Sequence, residues 1–308
     1  MRLRGDTASV SDEASMPTYR ELVRARFPAV DVERCEPVLG GWDNYMLLVN
    51  DTWIFRFPRR PENEDALRKE VALLPRLAPT LPLAVPRFEH VSRGNAPPRI
   101  VVGYRRIPGR PLKREDIAAS VPMSLVAQLA DFLTALHRFP ADRARDLGVP
   151  GGDANAWRRE YEDFYRWIQR EAFPTLGARE RRWAAHLCED FLTASDHFGF
   201  APVLLHRDLA MEHVLFDDAA GRILGVIDWG DASIGDPAFD FTGILADLGE
   251  PVAQAVLDSY RGVKDPGMLD RARFYARIIP FYGIIFGRQL GHEEWTRDGL
   301  LRLKNLVE

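Results

Sequence analysis

The stretch from Val203 to Asp240, VLLHRDLAMEHVLFDDAAGRILGVIDWGDASIGDPAFD, constrains the rest of the chain more than any other. An apolar run, Val203-Leu204-Leu205, delivers His206-Arg207-Asp208 to a strand end. His213 comes five residues after Asp208 and is followed by a second apolar run, Val214-Leu215-Phe216. A turn over Asp217–Gly221 leads into the strand-like run Ile223–Ile227, which ends on Asp228-Trp229-Gly230. The pattern is a short loop carrying Asp208 and then a hairpin whose far end presents Asp228. Both carboxylates fall at strand ends, where loops commonly carry function. Such a pair suits phosphoryl transfer, in which one carboxylate orients the attacking hydroxyl and the other holds Mg²⁺ on the phosphates. Each piece alone has a plain alternative, since an isolated Asp is usually a cap or a turn residue. The joint occurrence of HRD, a polar residue five further on, a hairpin and an Asp-x-Gly closing an apolar strand argues for the chemistry.

Composition narrows the class. A chain of 308 residues is long enough for two lobes, each with its own core. A hydrophobic content of 46% and a charged content of 28% describe an ordinary globular protein. A formal net charge of −4 supplies no basic field for nucleic acid and would suit, weakly, a cationic substrate. Cys35 and Cys188 stand far apart with no Cys/His cluster, which points away from zinc or a disulfide framework and toward a reducing cytoplasm. No window reaches the length of a membrane span. The start, MRLRGDTASVSDEAS, has no apolar core of a signal peptide. It reads as a disordered leader over 1–17, with Met16 an alternative start.

Downstream of the leader the periodicities change twice. Tyr19–Arg26 has helical spacing and Pro28 closes it. Strand-like runs follow at Glu36–Leu39, Tyr45–Val49 and Trp53–Phe57, with turns at Gly40-Gly41 and Asn50-Asp51. A helix over Arg68–Leu77 and two more strands, Phe88–Val91 and Ile100–Tyr104, complete a five-stranded antiparallel sheet over 18–107. From 108 to 308 the pattern is mainly helical. Leu125–Leu136 carries an apolar stripe ending at His137, and Asn155–Ala172 is rich in Trp and Tyr. Further helices fit Glu180–His197, Phe241–Leu248, Pro251–Tyr260, Met268–Phe286 and Glu294–Leu306.

The motif set resembles the kinase catalytic loop and its metal-binding Asp-Phe-Gly, and IDWGDASIGDPAFDF is similar to the aminoglycoside phosphotransferase family. The resemblance implies an α+β, bilobal protein-kinase-like fold, with a small antiparallel-sheet N-lobe and a mainly helical C-lobe. It implies Asp208 as the residue that orients or deprotonates the acceptor hydroxyl, Asp228 as a metal ligand and ATP or GTP as donor with Mg²⁺. His213 stands where kinases have Asn as second metal ligand. That departure is similar to the aminoglycoside 2''-phosphotransferases and the macrolide phosphotransferases. Arg56 takes the place of the phosphate-gripping Lys, with Glu70 on the following helix as partner; the alternative is a strand residue facing solvent. Gly40 and Gly41 stand where a phosphate-covering loop belongs, or make only a tight turn. Tyr104 would back the purine site, and the backbone of Arg105, Arg106 and Ile107 would read the purine edge. His206 would pack beneath the loop, and Asp236 and Asp240 would cap and brace; Arg207 has no assigned role.

For the acceptor, Glu212 matches an acidic residue that in the 2''-phosphotransferases precedes the catalytic-loop His and meets substrate ammoniums. Asp231, Asp247 and Glu250 could add negative charge around the cleft, or be solvated surface carboxylates. The aromatic helix with Tyr275, Phe281, Tyr282 and Phe286 could wall a macrolide or be core. The expectation is a monomeric phosphotransferase acting on an aminoglycoside, with a macrolide or a metabolic alcohol as alternatives. A catalytically silent kinase-like binding module is the reading from another class.

Overall fold

The computed structural model describes residues 10–39, 43–117 and 122–308, with side chains from Thr18 onward. Its contacts divide the chain into two compact units. One comprises Pro111–His213 and Asp231–Glu308; the other runs up to Arg110 and takes back Val214–Gly230. The second unit therefore includes the hairpin after His213, which the sequence pattern places with the C-terminal helices.

The sheet unit is built on strands β1 (Cys35–Val38), β2 (Asn44–Val49), β3 (Trp53–Pro58), β4 (Phe88–Arg93) and β5 (Ile100–Arg105), in the order β1-β2-β3-β5-β4. Every neighbouring pair is antiparallel. Helix α1 spans Val10–Arg26, starting nine residues ahead of the expected Tyr19, so the latter half of the expected leader is helical. The helix continues through Pro17. Helix α2 spans Pro61–Leu77, with the proline at its first position where no N–H is needed.

Alternation decides what β3 can do. Successive side chains point to opposite faces. Phe55 and Phe57 join Leu47, Val49, Val101, Val23 of α1 and Phe27 just beyond its end in one core. The opposite face meets α2, where Leu67 packs with Ile100 and Val102. Arg56 lies on that opposite face, buried on a central strand. Gly103 makes the first core possible: a Cβ there would lie 2.5 Å from the Phe55 ring.

The rest of this unit is the hairpin β8 (Val214–Asp217) and β9 (Arg222–Val226), with Arg110 of the two-residue strand β6 (Arg110–Pro111) at its edge. The linker after α2 adds to it. Ala84 donates to the Leu224 carbonyl and accepts from the Val226 amide. Gly225 opposite must be glycine-sized, since a Cβ would lie 2.6 Å from the Ala84 oxygen.

The helical unit holds α3 (Met123–His137), α4 (Ala141–Asp146), α5 (Ala154–Trp167), α6 (Ala178–Thr193), α7 (Thr242–Leu248), α8 (Glu250–Ser259), α9 (Met268–Leu290) and α10 (Glu293–Val307). It also holds the strand pair β7 (Val203–Leu205) against β10 (Ser233–Gly235), antiparallel, with Leu205 opposite Ser233. Of the aromatic residues of α5, Trp157, Tyr161 and Phe164 are buried in the core, whereas Tyr165 and Trp167 are only half-buried. Helix α9 ends at Gly291 in the left-handed conformation that glycine adopts most readily. Among the described residues no helix is long and apolar enough to cross a membrane.

Candidate active site

In the sheet unit, the Arg56 guanidinium meets Glu70 as a two-point fork, Nη1 to Oε2 at 2.7 Å and Nη2 to Oε1 at 2.9 Å. Both side chains are buried, so the solvent-facing alternative for Arg56 does not hold. Burial works against the Arg56 charge, but the carboxylate of Glu70 outweighs it and holds the guanidinium above its ordinary range. Burial likewise pushes Glu70 up while Arg56 pulls it back, and Asp228 adds its negative charge to the same group. Such a pair is costly to desolvate, which favours it only where geometry is exacting.

Asp228 follows β9 in the left-handed region, at φ 67°, a conformation Asp tolerates better than most residues. Trp229 is fully buried and its indole N–H donates to the Val226 carbonyl at 3.1 Å, closing the turn that carries Asp228. Lys69 Nζ donates to the Gly230 carbonyl at 2.7 Å, so α2 holds this turn as well as Arg56. No signal in the sequence singled out Lys69. Tyr104 is buried on β5, and burial raises its hydroxyl to about 12, with Arg56 opposing. Of the expected purine-reading backbone, Arg106 is engaged elsewhere: its N–H donates to the Thr52 carbonyl at 2.7 Å. Arg105 extends β5 and its guanidinium lies over the Trp53 ring. Ile107 points toward Gly225 of the hairpin. Gly40 and Gly41 lie outside the described residues.

In the helical unit, β7 delivers a loop braced by carboxylates from later in the chain. Asp240 accepts from the backbone N–H of His206 at 2.9 Å and of Arg207 at 2.8 Å. The same carboxylate meets His137 Nε2 at 3.2 Å, and His137 Nδ1 meets the Tyr260 hydroxyl at 2.8 Å. Asp208 is buried, and its N–H donates to His206 Nδ1 at 3.3 Å. His213 Nδ1 lies 2.7 Å from the Asp208 carbonyl. A carbonyl only accepts, so Nδ1 carries a proton in this contact.

Asp236 accepts from the Ala238 amide at 3.0 Å and so caps the following turn. It also takes a fork from Arg271, at 2.6 and 3.0 Å, and the Tyr275 hydroxyl at 2.8 Å. Arg271 reaches on to Asp265 and is itself fully buried. Sequence reading missed it, although it sits three residues after buried Met268 and four before buried Tyr275, on the helix's inner stripe.

The acceptor candidates divide. Glu212 is half-exposed with Oε1 4.0 Å from His213 Nε2. Asp231 is half-buried and acts electrostatically on Tyr282, as do Arg207 and Glu160. Asp247 instead accepts from the Met211 amide at 2.9 Å, bracing the loop. Glu250 is exposed and paired with Arg273, which holds its carboxyl below the usual range. Tyr275 and Phe281 are core, whereas Tyr282 is half-buried and stacks on Phe164 with centroids 4.5 Å apart.

A five-stranded antiparallel sheet bearing a buried Arg–Glu pair, and a helical unit bearing a braced HRD loop, define a kinase-like fold. The chain belongs to the phosphotransferase enzyme family, whose model matches residues 34–275. It is 31% identical over 211 residues to viomycin phosphotransferase of Streptomyces vinaceus, covering 66% of this chain and 69% of the relative. Among solved structures, the GDP and kanamycin complex of APH(2")-IIia superposes with a TM-score of 0.87 at 26% identity, covering 94% of this chain and 97% of the other. Macrolide 2'-phosphotransferase type I, at 23% identity and a TM-score of 0.76 over 94% of this chain and 97% of its own, shares the fold. The chain is thus a small-molecule kinase.

Proposed function

We propose that this protein transfers the γ-phosphate of ATP or GTP to a hydroxyl of an aminoglycoside. The observation that carries the reading is the buried Arg56–Glu70 fork together with the braced loop that presents Asp208. A silent binding module would have no need to keep both.

Arg56, fixed by Glu70, would grip the donor's phosphates. Asp208 would accept a hydrogen bond from the acceptor hydroxyl and orient it toward the γ-phosphorus. Because the transition state is loose, positioning matters more than base strength. Asp228 and His213 would hold Mg²⁺, His213 through Nε2. A carboxylate and one imidazole fit that ion if phosphate oxygens and water complete its shell. When bound, the ion would neutralise charge on the phosphates. Glu212 and Asp231 would meet acceptor ammoniums.

The substrate class is supported by the likeness to a solved structure holding GDP and kanamycin. The GDP in that relative also supports GTP as a donor. The likeness to a viomycin phosphotransferase makes viomycin the second acceptor to test. The experiment is a panel of kanamycin, viomycin, a macrolide and a simple metabolic alcohol, each with γ-labelled ATP and GTP. Label appearing in kanamycin supports the reading. Label appearing only in another acceptor keeps the chemistry and replaces the substrate.

A further inference from the structure

Arg207 stands one residue before Asp208, and neither donor nor acceptor chemistry accounts for it. Its backbone occupies the left-handed region at φ 66°, which glycine would adopt with less strain. The side chain holds it there. Its guanidinium carbon lies 4.6 Å from the Trp157 ring centroid and 5.3 Å from that of Phe239. It donates to Ser233 Oγ at 3.2 Å and to the Glu160 carboxylate. Its backbone N–H donates to Asp240 at 2.8 Å. Helix α5, strand β10 and the turn Pro237–Phe241 thus grip one residue, all within the helical unit. Ser233 also pairs with Leu205, so the strand feeding the loop is tied to the same point. Burial disfavours the guanidinium charge, and Glu160 compensates from a position about half exposed to solvent.

We propose that Arg207 is a positioning residue: stacked on Trp157 and Phe239 and paired with Glu160, it fixes the backbone from which Asp208 projects. The inference rests on Asp208 as the group that orients the acceptor hydroxyl. Rotation at Arg207 out of the left-handed region would swing the Asp208 carboxylate away from its aim. Misplacement by about 1 Å is enough to cost roughly 10²-fold in rate.

The test separates side chain from backbone. Arg207→Gly keeps the left-handed conformation accessible and removes the clamp, while Glu160→Gln removes only the counter-charge. Transfer from GTP to kanamycin is measured together with slow hydrolysis of GTP by water, which needs no acceptor. Arg207→Gly should lower kcat roughly ten- to hundred-fold, with KM for GTP and kanamycin within about two-fold of wild type. Glu160→Gln should lower kcat by less with the same split, and the double variant should be no worse than Arg207→Gly alone. Wild-type kcat in both single variants would overturn the proposal, as would a loss explained wholly by the unfolded fraction in thermal melts. If wild type hydrolyses GTP but phosphorylates no kanamycin, the acceptor assignment fails. The hydrolysis rates of the variants then still decide the positioning role.

Discussion

Arg56 has no exit to water, so its partner's carboxylate depends on it. Arg56→Met would leave Glu70 buried beside the negative charge of Asp228. We expect a loss of about 3–5 kcal/mol in unfolding free energy, read by urea titration, together with loss of nucleotide binding. Arg56→Lys keeps the charge but loses the fork, and should recover stability only in part. Asp208 is tested separately, because it should touch the acceptor and not the phosphates. Asp208→Ala should lower kcat by ~10²- to 10⁴-fold with nucleotide affinity unchanged, measured by calorimetry with GDP. At His213, Nδ1 sits on the Asp208 carbonyl, and on the proposed reading Nε2 is the nitrogen that would take the ion. His213→Ala should therefore raise the Mg²⁺ concentration needed for half-maximal activity. An unchanged Mg²⁺ dependence would remove His213 from the metal site.

At the scale of elements, α9 and the turn after β10 are joined by Arg271 between Asp236 and Asp265. The hydrogen bond from Arg271 holds the Asp265 carboxyl below the usual aspartate range, against a smaller opposing effect of burial. A carboxylate depressed in the folded state stabilises it above the unfolded pKa, and that contribution is lost as pH falls through the folded value. The melting temperature should therefore drop more steeply below roughly pH 4 in wild type than in Asp265→Asn, which lacks the titrating group. Equal slopes would show that the pair contributes nothing to acid stability. The elements themselves were largely legible: the alternation around Arg56 and the helical stripes of α3 and α9 mark their own buried faces. Strand β10 was not, because three residues, Ser-Ile-Gly, carry no period, and their partners, Val203–Leu205 and Gly151, are distant in sequence. Helix α1 begins earlier than its apolar spacing shows. The loops that carry Asp208, His213 and Asp228 were legible because those residues lie in one contiguous stretch between short apolar strands. The grips of Lys69 on Gly230, of His137 on Asp240 and of Glu160 on Arg207 join residues far apart in sequence, and no local pattern announces them.

For the molecule as a whole, a net charge of −4 is too small to select a cationic acceptor, so on the proposed reading selection would come from particular carboxylates. Glu250 is matched by Arg273 and Asp247 braces Met211, which leaves Glu212 as the sharper candidate. Glu212→Gln should raise the KM for kanamycin roughly ten-fold at low salt, leave the KM for GTP alone and matter far less for a macrolide. The central claim, a kinase-like enzyme that phosphorylates a small basic acceptor through Asp208, is tested most directly by mass spectrometry of kanamycin after incubation with GTP or ATP and Mg²⁺. Wild type should add one phosphate to it, and Asp208→Ala, still binding GDP normally, should add almost none. Phosphorylation at the wild-type rate by Asp208→Ala, or its absence with a folded, nucleotide-binding wild type, would contradict the account.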